Sequence, residues 1–307
     1  MGRRRRGRSV SGILLLDKPA GESSNKSLQR AKRLFDAAKA GHTGSLDPLA
    51  TGVLPVCFGE ATKFSSHLLE ADKSYDATFA LGLSTDSGDC EGAVVCQRDA
   101  SALTAERIEE ALESFRGPIQ QLPPMYSAIK KDGQPLYKLA RKGIEVPREP
   151  RCITIREFRI KGFRGGEVAQ LEVSVTCSKG TYIRSLAMDL GERLDVGGHV
   201  TMLRRTKAGP FCVSDAVELT FIEDMLGAQG VDQLDSLLLP IDHAMGHLPL
   251  VPVPESSGFY LRQGQPVLVR NAPLSGMVRV ASETGEFLGL AEVLDDGRIA
   301  PRRLVVS

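Results

Sequence analysis

The pattern of hydrophobic and polar residues predicts strands and helices that follow one another in no regular order. Every second residue is apolar over 171–177, which predicts a half-buried strand. Apolar residues recur at helical spacing over 183–194, which predicts an amphipathic helix. The same rules predict strands over 12–16, 53–58 and 75–81, and helices over 24–38 and 105–115. Because no βαβ repeat appears, we expect an α+β fold with a mixed, mainly antiparallel sheet and flanking helices.

Two further features of the pattern suggest how the chain is divided. A proline-rich, basic stretch over about 117–148 has no clear periodicity, which indicates an inserted segment. A proline-rich linker near residues 248–254 precedes four strand-like runs, over 266–270, 277–281, 287–293 and 304–306. These runs predict a small β-barrel of ~55 residues. We therefore expect one domain over 1–248 and a second over 249–307.

Composition restricts the class of protein. Of the 307 residues, 42% are hydrophobic and 25% are charged, which is typical of a soluble globular protein. No apolar run is long enough for a membrane span or a signal peptide, so we expect a cytoplasmic protein. The six cysteines form no CxxC pair, and no metal site is indicated. The net charge of +1 does not announce a nucleic-acid partner, although five arginines lie within residues 3–8.

The most unusual segment is the glycine-rich loop over 41–52, which holds Asp47 immediately before a proline. A phosphate-binding P-loop, a dinucleotide-binding GxGxxG motif, a nucleophile elbow and a zinc-deaminase signature are all absent. Gly41-His-Thr-Gly44 matches the GxxG of a KH module, but that motif alone is a weak signal. Asp47 could simply cap a turn. The polar groups of His42 and Thr43, the basic helix predicted before the loop and Lys63 after the next strand instead favour a functional role for this carboxylate.

Several motifs give the chain a specific resemblance. They are Leu16-Asp-Lys-Pro, Gly41-His-Thr-Gly-Ser-Leu-Asp-Pro-Leu-Ala-Thr-Gly52, Gly59-Glu-Ala-Thr-Lys63, Ser178-Lys-Gly-Thr-Tyr-Ile-Arg184, His199-Val-Thr-Met-Leu-Arg-Arg205 and Ala300-Pro-Arg-Arg-Leu-Val-Val306. In this order they resemble the TruB family of tRNA pseudouridine synthases over nearly the whole chain. The resemblance implies isomerisation of uridine to pseudouridine at position 55 in the T arm of tRNA. It also implies that the C-terminal module is a PUA-like RNA-binding barrel.

The resemblance implies a role for each site residue. Asp47 is implied to be catalytic, either adding to the sugar or abstracting a proton, and a carboxylate suits this task. Arg184 would pair with Asp47 and lower its pKa. The substrate-binding residues are implied to be His42, Tyr75, Tyr182, Leu203 and Lys63 in addition to Arg184. His42 would fill the gap that the flipped nucleotide leaves, and Tyr75 would stack on the uracil and could also take the C5 proton.

Some alternatives stay open on the sequence alone. Tyr75 could be ordinary core packing, and Lys63 could be a solvated lysine rather than a phosphate ligand. The N-terminal arginines, the basic helix, the 130–142 segment and Arg204-Arg205 are expected to contact the tRNA backbone. The reaction requires neither a cofactor nor a metal, and we expect a monomer. A non-catalytic protein that binds and folds tRNA is the alternative, and Asp47 argues against it.

Overall fold

A computed structural model of the chain describes residues 7–306. Its helices are α1 (Ser24–Leu34), α2 (Ser65–Glu70), α3 (Ala105–Glu113), α4 (Leu136–Ala140), α5 (Ile183–Arg193), α6 (Leu219–Gln229) and α7 (Glu255–Arg262). The strands up to the insertion are β1 (Gly12–Lys18), β2 (Ala40–His42), β3 (Thr51–Phe58), β4 (Lys73–Leu81), β5 (Leu83–Thr85), β6 (Val94–Gln97), β7 (Gly117–Gln121), β8 (Lys130–Lys131) and β9 (Gln134–Pro135). The remaining strands are β10 (Arg151–Arg164), β11 (Ala169–Cys177), β12 (Gly198–Ala208), β13 (Phe211–Cys212), β14 (Val217–Glu218), β15 (Leu250–Val253), β16 (Val267–Leu268), β17 (Gly276–Ser282), β18 (Phe287–Val293) and β19 (Arg298–Leu304). No helix of the described part is both long and apolar enough to cross a membrane.

A ten-stranded sheet forms the centre of the fold. Eight strands follow the order β14-β1-β3-β12-β4-β11-β10-β7, and in addition β2 pairs with β3 and β13 pairs with β12. Only the pairs β1/β14 and β3/β12 are parallel. The predicted α+β class with a mixed, mainly antiparallel sheet is therefore confirmed. A second sheet of five strands, β15-β17-β18-β19-β16, is built from the C-terminal residues.

The large sheet is assembled from two halves that meet at a short seam. One half centres on β1 and β3, and α1 and α6 pack on it through a buried apolar cluster. The other centres on β4, β10 and β11, and α3 and α5 cover it. The halves join where β3 lies beside β12, through two residue pairs, Arg204 with Thr51 and Arg205 with Gly52. The glycine-rich loop over 41–52 ends at this seam.

The structure corrects the predicted length of the first helix. Ser23 caps α1 as expected, its hydroxyl accepting a hydrogen bond from the Lys26 amide. The helix ends at Leu34 rather than near Ala38, because Phe35 closes it and Asp36 turns the backbone to a φ of 45°. The following residues are drawn into a bridge between Ala37 and Arg8.

Strand pairing corrects three other boundaries. Residues 117–121, assigned to the irregular insertion, form β7 and pair with β10. Residues 250–253, assigned to the linker, form β15 and pair in parallel with β17. The last strand is β19, which ends at Leu304 instead of beginning there. In each case the backbone hydrogen-bonds a partner distant in sequence, which local periodicity does not reveal.

Candidate active site

The loop over 41–52 is held in place from several sides. The Ser24 hydroxyl accepts a hydrogen bond from the Leu46 amide at 2.7 Å and lies 3.1 Å from the Leu46 carbonyl oxygen. The Pro48 carbonyl accepts hydrogen bonds from the Gly21 amide at 2.8 Å and from Lys18 Nζ at 3.4 Å. The start of α1 and the end of β1 thus fix the loop on both sides of Asp47.

Asp47 and Arg184 form a two-point ion pair. Arg184 Nε donates to Asp47 Oδ2 at 2.8 Å, and Nη2 donates to Oδ1 at 3.0 Å. Such a fork-to-carboxylate arrangement fixes the orientation of the carboxylate as well as its charge. The side chain of Arg184 is 3% exposed, whereas that of Asp47 is 35% exposed. The carboxylate is therefore open to a reactant while its partner is sealed in the protein.

Arg184 is itself immobilised by groups that the sequence analysis did not identify. Its Nη1 donates to the Ser87 carbonyl at 2.9 Å, and its Nη2 donates to the Tyr126 carbonyl at 2.6 Å. Asp89, 4% exposed, lies 3.6 Å from Nη1 and accepts a hydrogen bond from the Ser87 hydroxyl at 2.6 Å. The only sequence signal for this contact was the turn-forming composition Asp-Ser-Gly-Asp over 86–89.

The pKa of Asp47 is set by burial and by nearby charges that act in opposite directions. Burial raises the pKa of Asp47, and the positive charge and hydrogen bonds of Arg184 only partly oppose that rise. The nearby carboxylate of Asp89 raises the pKa further, and Lys18 lowers it. Arg184 lowers the pKa of Asp47 as expected, but the loss of solvent outweighs this contribution, so the pKa is raised on balance.

Most of the predicted substrate-binding residues surround Asp47. Tyr75 on β4 and Leu203 on β12 belong to the same side of the sheet, since both contact the cluster beneath α5. Burial raises the pKa of Tyr75 and of Tyr182, and the charge of Asp47 contributes to both increases. Tyr182 stands just before α5, where its amide and carbonyl groups are hydrogen-bonded by the side chain of Gln121.

His42 lies at the end of β2, half-buried beside the same loop. Its pKa is lowered by burial and by the nearby charge of Arg205, which favours the neutral imidazole. Within residues 7–306, its buried Nδ1 has no hydrogen-bond partner. A neutral ring in this position suits stacking better than proton transfer.

Lys63 is not brought to Asp47. It follows the far end of β3, and eight strand residues separate the two regions by roughly 25 Å. Its ammonium donates to Glu60 Oε2 at 2.5 Å and to the Leu304 carbonyl at 3.2 Å. In the structure Lys63 therefore connects the catalytic module to the C-terminal sheet.

The expected basic surfaces are only partly present. Arg205 is 1% exposed, so the expectation that it contacts the RNA backbone was wrong. Arg204 pairs with Asp17 at 2.6 Å but its side chain is 38% exposed, so its contact with the RNA backbone stays a prediction. On α1, Arg30 is bound by Glu22 and Glu223. Five side chains of the insertion are exposed and form no ion pair among the described residues: Lys130, Lys131, Lys138, Arg141 and Lys142. Arg3 to Arg6 lie outside the described residues.

The fold and the aspartate–arginine site together define the class of a pseudouridine synthase. Residues 32–183 match the N-terminal domain of TruB family pseudouridylate synthases, 184–246 match the tRNA pseudouridylate synthase B C-terminal domain, and 249–305 match the C-terminal domain of pseudouridine synthase II TruB. The chain belongs to the TruB family, and it is an isomerase that forms pseudouridine.

Two curated relatives and one solved structure illustrate the similarity. The tRNA pseudouridine synthase B of Saccharophagus degradans is 53% identical over 99% of both chains. That of Stutzerimonas stutzeri is 54% identical over 98% of this chain and 97% of its own. A chain of an H/ACA RNP bound to a substrate RNA containing 2′-deoxyuridine has a TM-score of 0.72 and 21% identity, and the match covers 100% of this chain and 92% of that one. At that identity the likeness concerns the fold alone.

Proposed function

We propose that the protein isomerises uridine to pseudouridine at position 55 in the T arm of tRNA. The observation that carries the proposal is the Asp47 carboxylate, which is partly exposed and oriented by a buried arginine. The relatives named tRNA pseudouridine synthase B, matched over nearly their full length, support tRNA as the substrate. The exposed cations of the inserted segment suit phosphate contacts.

The proposed reaction is balanced without an oxidant, reductant or cofactor. The target nucleotide leaves the stack and enters the site, where Tyr75 supplies a ring against the uracil. The N1–C1′ bond breaks, the uracil turns, and a C5–C1′ bond forms. The C5 proton then leaves to a base, and N1 takes up a proton. Asp47 acts at the sugar, either by bonding to C1′ and leaving again or by removing a proton, and both routes need the ionised carboxylate.

Tyr75 stands where a second proton-transferring group is needed. It is partly buried against the apolar cluster beside the site, and burial raises the pKa of its phenol. In this proposal the Tyr75 oxygen accepts the C5 proton once the new bond has formed, while its own O–H proton passes on towards N1, and Leu203 and Tyr182 enclose the base.

The test is to incubate the purified protein with an unmodified tRNA transcript and to map pseudouridine by carbodiimide treatment and primer extension. A stop at position 55 is expected. A transcript with cytidine at position 55 and the Asp47→Asn variant serve as controls, and neither should give the stop. Pseudouridine at other positions only, or none with the wild-type protein, would refute the proposed substrate site.

A further inference from the structure

Arg205 occupies the seam between the two halves of the sheet. On β12 it is paired with Gly52 of β3 on one side and with Tyr75 of β4 on the other. Its side chain is 1% exposed and is among the largest fully buried side chains of the described residues. A single residue thus adjoins both the end of the Asp47 loop and the tyrosine of the proposed mechanism.

The guanidinium of Arg205 holds the loop at both ends. Its Nε donates to the Val53 carbonyl at 2.8 Å, directly after the loop, and its Nη2 donates to the Gly44 carbonyl at 3.2 Å, before Asp47. A guanidinium is planar, so the directions of its donors are fixed relative to one another. The two acceptors therefore keep a constant separation, and the loop between them cannot shift without breaking a bond.

No carboxylate of the described residues pairs with the charge of Arg205, so this charge affects the pKa of neighbouring groups. Its two hydrogen-bond acceptors are carbonyl groups, and within residues 7–306 it forms no ion pair. Buried charges are ordinarily paired, because an unpaired one is costly in a low-dielectric interior. Tyr75 lies directly opposite Arg205 in the sheet, and the charge of Arg205 opposes the effect of burial on the pKa of Tyr75. This is the effect required of a phenol that must exchange a proton.

From these contacts we propose that Arg205 is a positioning residue that holds the Asp47 loop in a fixed arrangement beside Tyr75, its neighbour across the strands. It reaches no substrate atom and acts through these two groups. The inference rests on the proposed function, since it assigns Arg205 to the two residues that carry that reaction.

The experiment compares Arg205→Lys with the wild-type protein on two substrates. One is ordinary tRNA and the other is tRNA containing 5-fluorouridine, which has no C5 proton to remove, so only the steps before proton removal are tested. Single-turnover rates are followed by nucleoside chromatography, with the Kd for tRNA and the melting temperature measured in parallel. Arg116→Lys is the matched control, because Arg116 also donates two bonds to a backbone carbonyl, that of Phe158, outside the site.

A lysine keeps the charge but cannot reproduce the fork. The loss of one loop bond should slow the fluorinated substrate about tenfold, the equivalent of one hydrogen bond. Ordinary tRNA should be slowed about a hundredfold, because the Tyr75 step suffers as well. The Kd should stay within about threefold, and Arg116→Lys should leave both rates unchanged.

Other results would overturn the inference. Equal rate losses on both substrates would show that Arg205 does not act through Tyr75. An undiminished rate on the fluorinated substrate would show that it does not act through the loop. A rate loss explained by weaker tRNA binding would refute both parts of the inference. If Arg205→Lys fails to fold, Arg205→Gln, which buries no charge, is used instead. Its rate should again fall more on ordinary tRNA than on the fluorinated tRNA. A wild-type protein that forms no pseudouridine would refute the proposed function, whereas an active wild type with unimpaired variants would refute this inference alone.

Discussion

Replacing Arg184 tests whether the ion pair prepares Asp47 for the reaction. Arg184 donates two hydrogen bonds to Asp47 and one each to the carbonyls of Ser87 and Tyr126. In Arg184→Lys a single ammonium cannot reach all four acceptors, so at least one charge-assisted bond at Asp47 is lost. Such a bond is worth about 1.5–3 kcal/mol, which corresponds to about 10- to 100-fold in rate.

Arg184→Gln is the more severe change. It removes an arginine that faces both Asp47 and Asp89, which leaves these two carboxylates without their shared cation. It removes both charge-assisted bonds to Asp47, together about 3–6 kcal/mol, so a loss of about 10²–10⁴ in rate is expected. Arg98→Gln is the control, because Arg98 pairs with Asp195 on the surface, and such pairs contribute about 0–1 kcal/mol.

The pH dependence of the rate tests whether Arg184 controls the charge of Asp47, whatever the size of the rate loss. The rate should fall as the pH drops through the pKa of Asp47, because only the ionised carboxylate reacts. Arg184 lowers that pKa against the effect of burial, so in Arg184→Gln the acidic limb should move to higher pH. Single-turnover rates measured across the acidic range give the limb directly. A uniform loss at every pH with an unmoved limb would show that Arg184 does not control the charge of Asp47.

Four further predictions follow from individual contacts. Asp47→Asn should abolish pseudouridine formation and weaken tRNA binding less than about tenfold, because affinity is spread over many phosphate contacts; a variant with a tenth of the wild-type rate would contradict it. Tyr75→Phe should slow ordinary tRNA about 10²–10⁴-fold but should convert tRNA containing 5-fluorouridine nearly as the wild type does; equal losses would make Tyr75 a binding residue. Gly52→Ala should fail to fold or lose much of its melting temperature, since a Cβ at its φ of +106° would lie 2.2 Å from the Arg205 carbonyl oxygen; Gly227→Ala, with open space around it, is the control that should melt normally. EDTA should leave the wild-type rate unchanged, because a carboxylate and a phenol supply the chemistry, and a loss restored by zinc would contradict this.

The sequence was a better guide to the residues proposed to react than to the residues that hold them in place. The spacing of apolar residues over 183–194 placed Arg184 at the start of a helix, and the glycine-rich loop singled out Asp47. The sequence analysis did not assign Asp89 or Lys18 to the site. Each reaches the site through a contact with residues distant in sequence, which the local pattern of apolar residues does not reveal. Lys18 is completely buried and donates to the carbonyls of Pro19, Glu22 and Pro48.

Arg205 shows a different source of error. Its residue type suggested an exposed phosphate contact, but its position contradicted that reading, because Leu203 and Arg205 are alternate residues of one strand. Leu203 is 5% exposed and Arg205 is 1% exposed, as the period of two in a strand requires. The alternation was thus a better guide than the charge at this position.

The charges around the loop also explain why a partly exposed carboxylate suits a substrate made of phosphates. Three buried cations contact the loop or its aspartate: Lys18 through Pro48, Arg205 through Gly44 and Arg184 through Asp47 itself. The pKa of Lys18 is lowered by burial to about 8, so it is mostly charged at neutral pH. Against them stand the carboxylates of Asp47 and Asp89, and Glu22 and Glu91 also act on Lys18. These buried cations favour a nucleotide that arrives with its phosphate, while the charge and hydrogen bonds of Arg184 lower the pKa of Asp47 against the effect of burial.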